Sequence, residues 1–519
     1  IYKTFQATAE YNKTIGGHTF GILAGYSWEQ EDYRYVQGSR DKFPGNDLPY
    51  LNAGSPDNQK SEGTGNAWAI QSGFGRLRYN FNERYLFEST VRYDGSSRFP
   101  QSKKFGFFPS VAAGWRLSEE NFFKENESLG FISNLKLKVS WGRLGNQNIG
   151  NYPYQSVYEL GQNYPFGDTY TQGAAVTTAV DPTIKWEETE TIDGGLEAVF
   201  WNGLLSVNAS YFNRRTYDIL YKPSGSVSTI LGQKISEMNT GELKNFGWEF
   251  EVGHRNKIGD VSYNVNANLS IIKNKLTTLG VGNVEQLNGM VGNGSDLFIG
   301  YPIQMYYGYV SDGVFLDEND IKSWYDQSKV TPNPQPGDIR YKDISGPDGV
   351  PDGKIDPNYD RVYLGSRIPK FTFGLNLGVE YKGLDLSVLL QGVAGVTGML
   401  DGFAGWAFRG DGNIQKWQAE GRFDPANPTR YPAYPRLEDL SNSTTPNIVT
   451  SDFWTQDASY IRLKNIQLGY TFPKKMLQAA KISNLRVYVQ AENPLCWNKY
   501  KPGWDPEINT SGNYYPILA

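Results

Sequence analysis

Segments in which apolar and polar side chains alternate recur along the whole chain. In Tyr85–Pro100, for example, Phe87 and Val91 fall on one face of an extended segment, whereas Glu88 and Arg92 fall on the other. This two-residue period is that of a β-strand. The sequence predicts about 14 such strands of about ten residues each, longer than the five or six residues usual in soluble sheets. Their apolar faces must be covered, either by the core of a soluble sandwich or by the hydrocarbon of a membrane.

The connections between the predicted strands alternate between tight and long. Tight joints include 82–83, 201–203, 256–259 and 382–383. The long connections span about 31–64, 145–186, 216–240, 274–367 and 396–456. A membrane barrel has this pattern because short turns face the periplasm and long loops face the outside. Two joints fit less well, since 94–106 is only moderate in length and 118–134 contains "SEENFFKENE", which predicts a helical turn or two.

One apparent strand, "MYYGYV" (Met305–Val310), lies inside the longest connection. If it crossed the membrane, every later tight joint would lie on the wrong side. We therefore predict that it belongs to an outer loop.

The polar faces of the predicted strands are suited to a wet lumen. They carry charged and amide side chains: Glu88, Arg92, Lys136, Lys138, Glu249, Glu251, Asn264, Asn266 and Asn268. Aromatic residues at strand ends, such as Tyr85 and Tyr470, are typical of interfacial girdles. The predicted fold class is all-β, a transmembrane antiparallel β-barrel surrounded by outer-membrane lipid. A soluble extracellular β-rich protein that binds or degrades carbohydrate is the alternative.

Composition excludes several other classes of protein. The net charge is -5 and the pI is about 5.5, whereas a nucleic-acid-binding protein needs a basic surface. Cys496 is the single cysteine, so an intramolecular disulfide is excluded. No apolar run approaches the roughly 18 residues of a membrane helix.

The acidic segment "DISGPDGVPDGKIDPNYD" (Asp343–Asp360) is the strongest candidate for a metal site. Its aspartates offer the oxygen ligands that Ca²⁺ prefers, and its glycines permit tight turns. The candidate ligands are Asp343, Asp348, Asp352, Asp356 and Asp360. The spacing departs from the EF-hand pattern, and the alternative is a loop whose aspartates cap their own backbone.

No catalytic arrangement is predicted. Glu187 and Glu188 in "WEETE" point to opposite faces of a strand, so they cannot form the carboxylate pair of a glycosidase. His18 and His254 lie near tight joints and form no cluster with a nucleophile or a metal ligand. Aromatic residues of the long connections could stack on a solute or could equally pack the loops together. They include Tyr152, Tyr154, Tyr158, Tyr164, Tyr170, Trp324, Trp406 and Trp417.

Several long motifs occur in a characteristic order. They are "YDGSSRFP" and "FGFFPSVAAGWRLSEENFF" within Tyr93–Phe123, then "LKLKVSWGRLGNQNIGNYPY", "WEETETIDGGLE", "PGDIRYKDISGPDGVPDGKIDPNYDRVYLGS", "PKFTFGLNLGVEYKGLDLSVLLQG", "ASYIRLKNIQLGYTFP" and "GWDPEI". Together they resemble the SusC/RagA family of TonB-dependent outer-membrane transporters of Bacteroidetes. The resemblance covers nearly the whole chain. Siderophore-type TonB-dependent receptors are a further alternative with the same architecture, but they lack these motifs.

The resemblance implies a barrel of about 22 strands with a plugged lumen. It also implies energy supplied through the TonB complex, a SusD-like surface lipoprotein as partner, and oligosaccharides or peptides as solutes. Compared with that family, the sequence lacks the plug and the first and last strands. Residues 1–519 are therefore expected to be a partial barrel domain with long extracellular loops.

Overall fold

A computed structural model describes residues 1–222, 232–280, 284–285, 289–293, 296–439, 446–500 and 504–507. Its main feature is one sheet of 14 strands in which each strand pairs with its neighbours in the chain. The strands are β1 (Tyr2–Ile15), β2 (His18–Ser39), β3 (Lys60–Phe81), β4 (Tyr85–Ser96), β5 (Phe105–Arg116), β6 (Ile132–Asn146), β7 (Glu187–Phe200), β8 (Leu205–Tyr217), β9 (Glu242–Ile258), β10 (Val261–Thr278), β11 (Phe371–Tyr381), β12 (Leu384–Ala394), β13 (Tyr460–Thr471) and β14 (Arg486–Asn498). All pairings in this sheet are antiparallel, which confirms the predicted fold class.

The apolar faces of the strands are exposed. Phe87 of β4 lies opposite Tyr79 of β3, whereas Glu88 lies opposite Arg78 on the other face. Val139 of β6 is 54% exposed on the apolar side. A soluble sandwich would bury such side chains against a second sheet. The exposed apolar face therefore indicates contact with lipid.

Most connections alternate in length as predicted, although 117–131 and 472–485 are longer than 97–104 at the opposite end. The connections at one end of the sheet are 16–17, 82–84, 117–131, 201–204, 259–260, 382–383 and 472–485. Those at the other end are 40–59, 97–104, 147–186, 218–241, 279–370 and 395–459. The shortest joints are two-residue hairpin turns, and Lys382 and Gly383 both adopt the positive φ angles that such a turn requires. The connection predicted at about 31–64 is shorter in the structure, where it spans 40–59, because β2 and β3 continue pairing to Ser39 and Lys60.

Short helices lie in the connections between the strands. The α-helices are Asn121–Lys124, Glu318–Ser323, Gly402–Gly405, Lys416–Gly421 and Lys474–Leu477, and the first of these confirms the predicted helical turn. Single-turn 3-10 segments are Leu51–Ala53, Leu117–Glu119, Glu127–Leu129, Trp201–Gly203, Arg409–Asp411, Pro446–Ile448 and Gln478–Ala480. In the part of the chain that is described, no helix is long and apolar enough to cross a membrane.

The described parts of the long connections contain eight small strand pairs. They are Met305–Tyr309 with Arg361–Ser366, Ser311–Val314 with Ile339–Tyr341, Thr397–Met399 with Thr455–Asp457, Tyr164–Phe166 with Thr169–Thr171, Glu159–Leu160 with Ala174–Ala175, Thr178–Ala179 with Lys234–Ile235, Leu220–Tyr221 with Met238–Asn239, and Val284–Glu285 with Val291–Gly292. The first pair places "MYYGYV" outside the main sheet. The prediction that this segment stays in a long connection is therefore confirmed.

The largest buried core lies in the two longest connections rather than in the sheet. Residues from 279–370 and 395–459 pack together with Tyr500 and Trp504, which follow the last strand. We call the two connections the loop unit. Its fully buried side chains include Tyr341, Tyr434 and Trp454. Because the core draws on both connections, neither can bury its apolar side chains alone.

Candidate functional site

The polar face of the sheet carries a self-paired set of charges between β1 and β7. Arg78 Nη2 lies 2.7 Å from Glu10 Oε1 across three strands. Lys136 and Lys138 each lie 3.0 Å from a carboxylate oxygen of Glu197. This face therefore carries charged side chains that pair with one another, as is typical of the polar lumen of a membrane barrel.

The sheet curves around this polar face. A cavity of about 740 Å³ is lined by residues from β1 to β7, including Asn12, Arg78, Glu88, Lys138 and Asp193. Side chains from seven successive strands share one cavity only if the sheet is strongly curved. The polar face is thus the concave face, and it forms the lumen.

Asp320 joins the two halves of the loop unit. Its carboxylate accepts hydrogen bonds from Arg340 Nη1 at 3.0 Å and from Arg430 Nη2 at 3.1 Å. Burial disfavours the charged form, but the hydrogen bonds from Arg430 and from the Leu316 backbone N–H outweigh it, so the pKa of Asp320 is lowered. Asp320 and Arg340 belong to 279–370, whereas Arg430 belongs to 395–459. The ion pairs therefore hold the two connections together.

Asp338 is the centre of a second link between these connections. It is fully buried and accepts hydrogen bonds from Arg436 Nε at 2.5 Å and from Asn447 Nδ2 at 2.8 Å. Asn447 Nδ2 also donates to Glu438 Oε1 at 2.6 Å, and burial raises the pKa of Glu438. Sequence analysis identified none of these residues, because Arg436 lies 98 residues from Asp338 and no local pattern marks the pair.

A smaller cavity lies at the base of the loop unit. Its volume is about 290 Å³, and Tyr306, Arg367, Asp401 and Tyr500 are among its lining residues. Arg367 Nε donates a hydrogen bond to the Tyr306 hydroxyl at 2.8 Å. The cavity thus presents both signs of charge beside two phenol rings.

The acidic segment 343–360 is held by hydrogen bonds to its own backbone. Asp360 is fully buried and accepts from the N–H groups of Ile344 at 2.7 Å, Ser345 at 3.1 Å and Asp356 at 2.6 Å. Burial raises the pKa of Asp360 despite these three bonds. Asp343 accepts from the Gly353 N–H at 2.6 Å.

The other predicted calcium ligands also have separate roles. Asp352 accepts from the Lys354 N–H at 3.0 Å, Asp356 is paired with Lys329, and Asp348 is exposed. Burial opposes ionisation of Asp356, but the Lys329 ammonium outweighs it and lowers the pKa of Asp356. Among the described residues, no three Asp, Glu, His or Cys side chains are grouped so that they could hold a metal ion. Calcium binding by this segment stays a prediction.

The remaining candidate residues have structural contacts. Glu187 Oε2 accepts from the Leu220 N–H at 3.2 Å, while Glu188 Oε2 accepts from the Tyr217 hydroxyl at 2.7 Å. The two glutamates thus have different neighbours, as the strand geometry predicts. His18 Nδ1 lies 2.8 Å from the Tyr79 hydroxyl at a short turn.

The loop aromatics divide into packed and exposed groups. Trp324 lies 3.7 Å from the Arg340 guanidinium, measured to the ring centroid, and donates to the Tyr341 carbonyl at 2.9 Å. Trp417 packs edge-on against Tyr434. By contrast, three tyrosines of the 147–186 connection are mostly exposed: Tyr158, Tyr164 and Tyr170. These three tyrosines therefore have open ring faces that could meet a solute, whereas Trp324 and Trp417 do not.

A curved antiparallel sheet with an apolar outer face, a polar lumen and long connections at one end is the fold of an outer-membrane β-barrel. A family model described as "TonB dependent receptor-like, beta-barrel" matches residues 1–493. The chain belongs to this family of TonB-dependent receptor-like barrels, and it is therefore an outer-membrane β-barrel protein.

Individual relatives agree with this assignment. The chain is 29% identical to the TonB-dependent receptor SusC of Bacteroides thetaiotaomicron, over 99% of this chain and 48% of that protein. It is 29% identical to TonB-dependent receptor P3 of Formosa agariphila, over 96% of this chain and 48% of that protein. The chain thus spans about half the length of the curated relatives it matches.

Solved structures show the same similarity. The RagAB peptide importer in its "open-open" state is 25% identical, with a TM-score of 0.77 over 98% of this chain and 52% of that chain. The RagAB peptide transporter is also 25% identical, with a TM-score of 0.75 over 98% of this chain and 53% of that chain. The chain is therefore SusC/RagA-like, and the membrane interpretation is favoured over the soluble alternative.

Proposed function

We propose that the protein imports large polar nutrients across the outer membrane in a TonB-dependent manner, together with a SusD-like surface lipoprotein. The observation that carries the proposal is the similarity to SusC and RagAB over nearly the whole chain. The polar lumen supports it, because a hydrophilic solute needs a hydrated path through the membrane.

The two candidate solute classes are oligosaccharides and peptides. The RagAB relatives are described as a peptide importer and transporter, whereas exposed tyrosines at Tyr158, Tyr164 and Tyr170 offer flat faces of the kind on which sugar rings stack. We place the solute mouth and the lipoprotein contact at the ends of 147–186, 279–370 and 395–459, on the extracellular side.

Gene deletion in the native host tests this function. A strain without the full gene that encodes this chain is grown on mixed oligosaccharides or on mixed peptides as the sole nutrient. We expect a growth defect on one of the two, restored by the intact gene and abolished again when TonB is deleted. Normal growth of the deletion strain on both, with no difference in solute uptake, would contradict the proposal.

A further inference from the structure

Three neighbouring strands present an uncharged surface to the lumen. On the lumen faces of β10, β11 and β12, the central positions hold amides, hydroxyls, glycines and one leucine. We call the polar members of this surface the amide wall: Asn264, Asn266, Asn268, Asn376, Ser387 and Gln391. Charged side chains flank it: on β9, Glu251 lies opposite Asn268 and Arg255 lies opposite Asn264, and Asp385 lies at the short-turn end of β12. The wall contrasts with β1–β7, where charges occupy the same face.

The strand register brings these side chains together. Asn266 lies directly opposite Asn376, while Asn268 and Asn264 lie opposite Gly374 and Gly378. A Cβ atom on Gly378 would come 2.7 Å from Asn264 Nδ2, so the amide lies across the glycine backbone. The glycines therefore allow the amides to lie flat, which leaves a smooth polar surface.

The four asparagines have amides available for a ligand. Asn264, Asn266, Asn268 and Asn376 are exposed, and their side chains make no hydrogen bond to another described residue. A cavity of about 560 Å³ opens against this wall and is lined by Asn264, Asn376 and Ser387. Toward the short turns the same cavity is also lined by the charged residues Arg255, Glu380 and Asp385. The wall therefore combines free donors and acceptors with space for a solute.

The chemistry of the wall matches hydroxyl groups. Each asparagine amide offers two N–H donors and a carbonyl acceptor, and a sugar hydroxyl both donates and accepts. Hydrogen bonds between neutral groups contribute little net free energy. Weak binding of this kind suits a transported solute, because the solute must leave each position after it binds there. An anionic solute finds a cation, Arg255, at the β9 edge of this wall, but none among its central amides around Asn266 and Asn376.

We propose that the amide wall is the lumen surface along which the solute passes, and that it favours uncharged, hydroxyl-rich chains, meaning neutral oligosaccharides, over ionised ones. This proposal rests on the proposed import function and selects one of its two solute classes.

Uptake by the complemented deletion strain tests the wall. The probes are neutral gluco-oligosaccharides, oligogalacturonates of equal length and mixed peptides. Asn376→Lys should raise the ratio of oligogalacturonate to neutral uptake about fivefold, the factor expected for one unit charge near an anion in water. Asn376→Asp, which keeps the side-chain shape, should lower the same ratio. Ser140→Lys is the matched control, because it adds the same charge to the lumen beside Asp193 and should leave the ratio unchanged.

The outcomes separate the two proposals. A wild-type strain that imports peptides but not neutral oligosaccharides leaves the import function standing and overturns the amide wall. An unchanged ratio in both Asn376 variants, at normal outer-membrane levels, also overturns it. If the wild-type protein imports none of the three probes, the proposed function itself fails.

Discussion

Replacing Asp320 by asparagine should loosen the loop unit. The carboxylate is 14% exposed and pairs with Arg340 and Arg430, whose side chains are 9% and 24% exposed. Removing one member of a buried ion pair costs about 3–5 kcal/mol. Here Arg340 keeps a second partner in Asp312 and Arg430 is partly hydrated, so we expect the lower value of about 2–3 kcal/mol. The open population of the loop unit should rise by about 30- to 150-fold.

Amide hydrogen exchange in the full-length protein measures this change. The informative amide is Val314, whose N–H donates to the Arg430 carbonyl at 2.9 Å and so spans the two connections. Its exchange should accelerate in Asp320→Asn, while amides of β10 keep their rates. Lys416→Ala is the matched control, because Lys416 and Glu420 form an exposed pair worth less than about 1 kcal/mol. Unchanged exchange at Val314 in Asp320→Asn would refute the idea that this carboxylate joins the two connections.

Four further predictions follow from the same structure. Val139→Arg, on the lipid face, should destabilise the folded barrel in vesicles by about 2–4 kcal/mol, whereas Ser140→Arg, on the lumen face, should not. Trp324→Ala should lower the stability of the loop unit by about 2–3 kcal/mol, seen as faster proteolysis, because it uncovers a buried guanidinium and loses a hydrogen bond. Because the pKa of Asp320 is lowered in the folded state, its ionised form stabilises the loop unit fully above about pH 4. This stabilisation is lost as the pH falls through the folded-state pKa, so amide hydrogen exchange of the loop unit should accelerate only in that acid range. If residues 343–360 bind Ca²⁺, calorimetric titration of the metal-free protein with Ca²⁺ should give a saturable heat of binding. The double variant Asp343→Asn/Asp356→Asn should abolish that heat.

The barrel was predictable from sequence because its pattern is local. Alternation of residues such as Phe87 and Glu88 follows from the period of a strand, and the side of each connection follows from counting strands. The ends of β2 and β3 were less accurate, since beyond the lipid both faces meet water and the apolar signal stops although pairing continues to Ser39 and Lys60.

The loop unit could not be predicted in the same way. Its contacts join residues about a hundred positions apart, such as Asp320 and Arg430, and no periodicity relates them. For the same reason, Trp324 and Trp417 were indistinguishable by sequence from the exposed tyrosines of 147–186. For the acidic segment 343–360 the sequence pattern is local but ambiguous, because its composition permits both a metal site and a loop that caps its own backbone. The hydrogen bonds that Asp360 accepts are visible only in the structure.

The shared core of the two longest connections restricts how this surface can diversify. A graft of 279–370 alone from a relative would leave Tyr434 and Trp454 of the recipient without their packing partners. Exchange of recognition properties between related barrels should therefore require that both connections are transplanted together, along with their packing partners Tyr500 and Trp504.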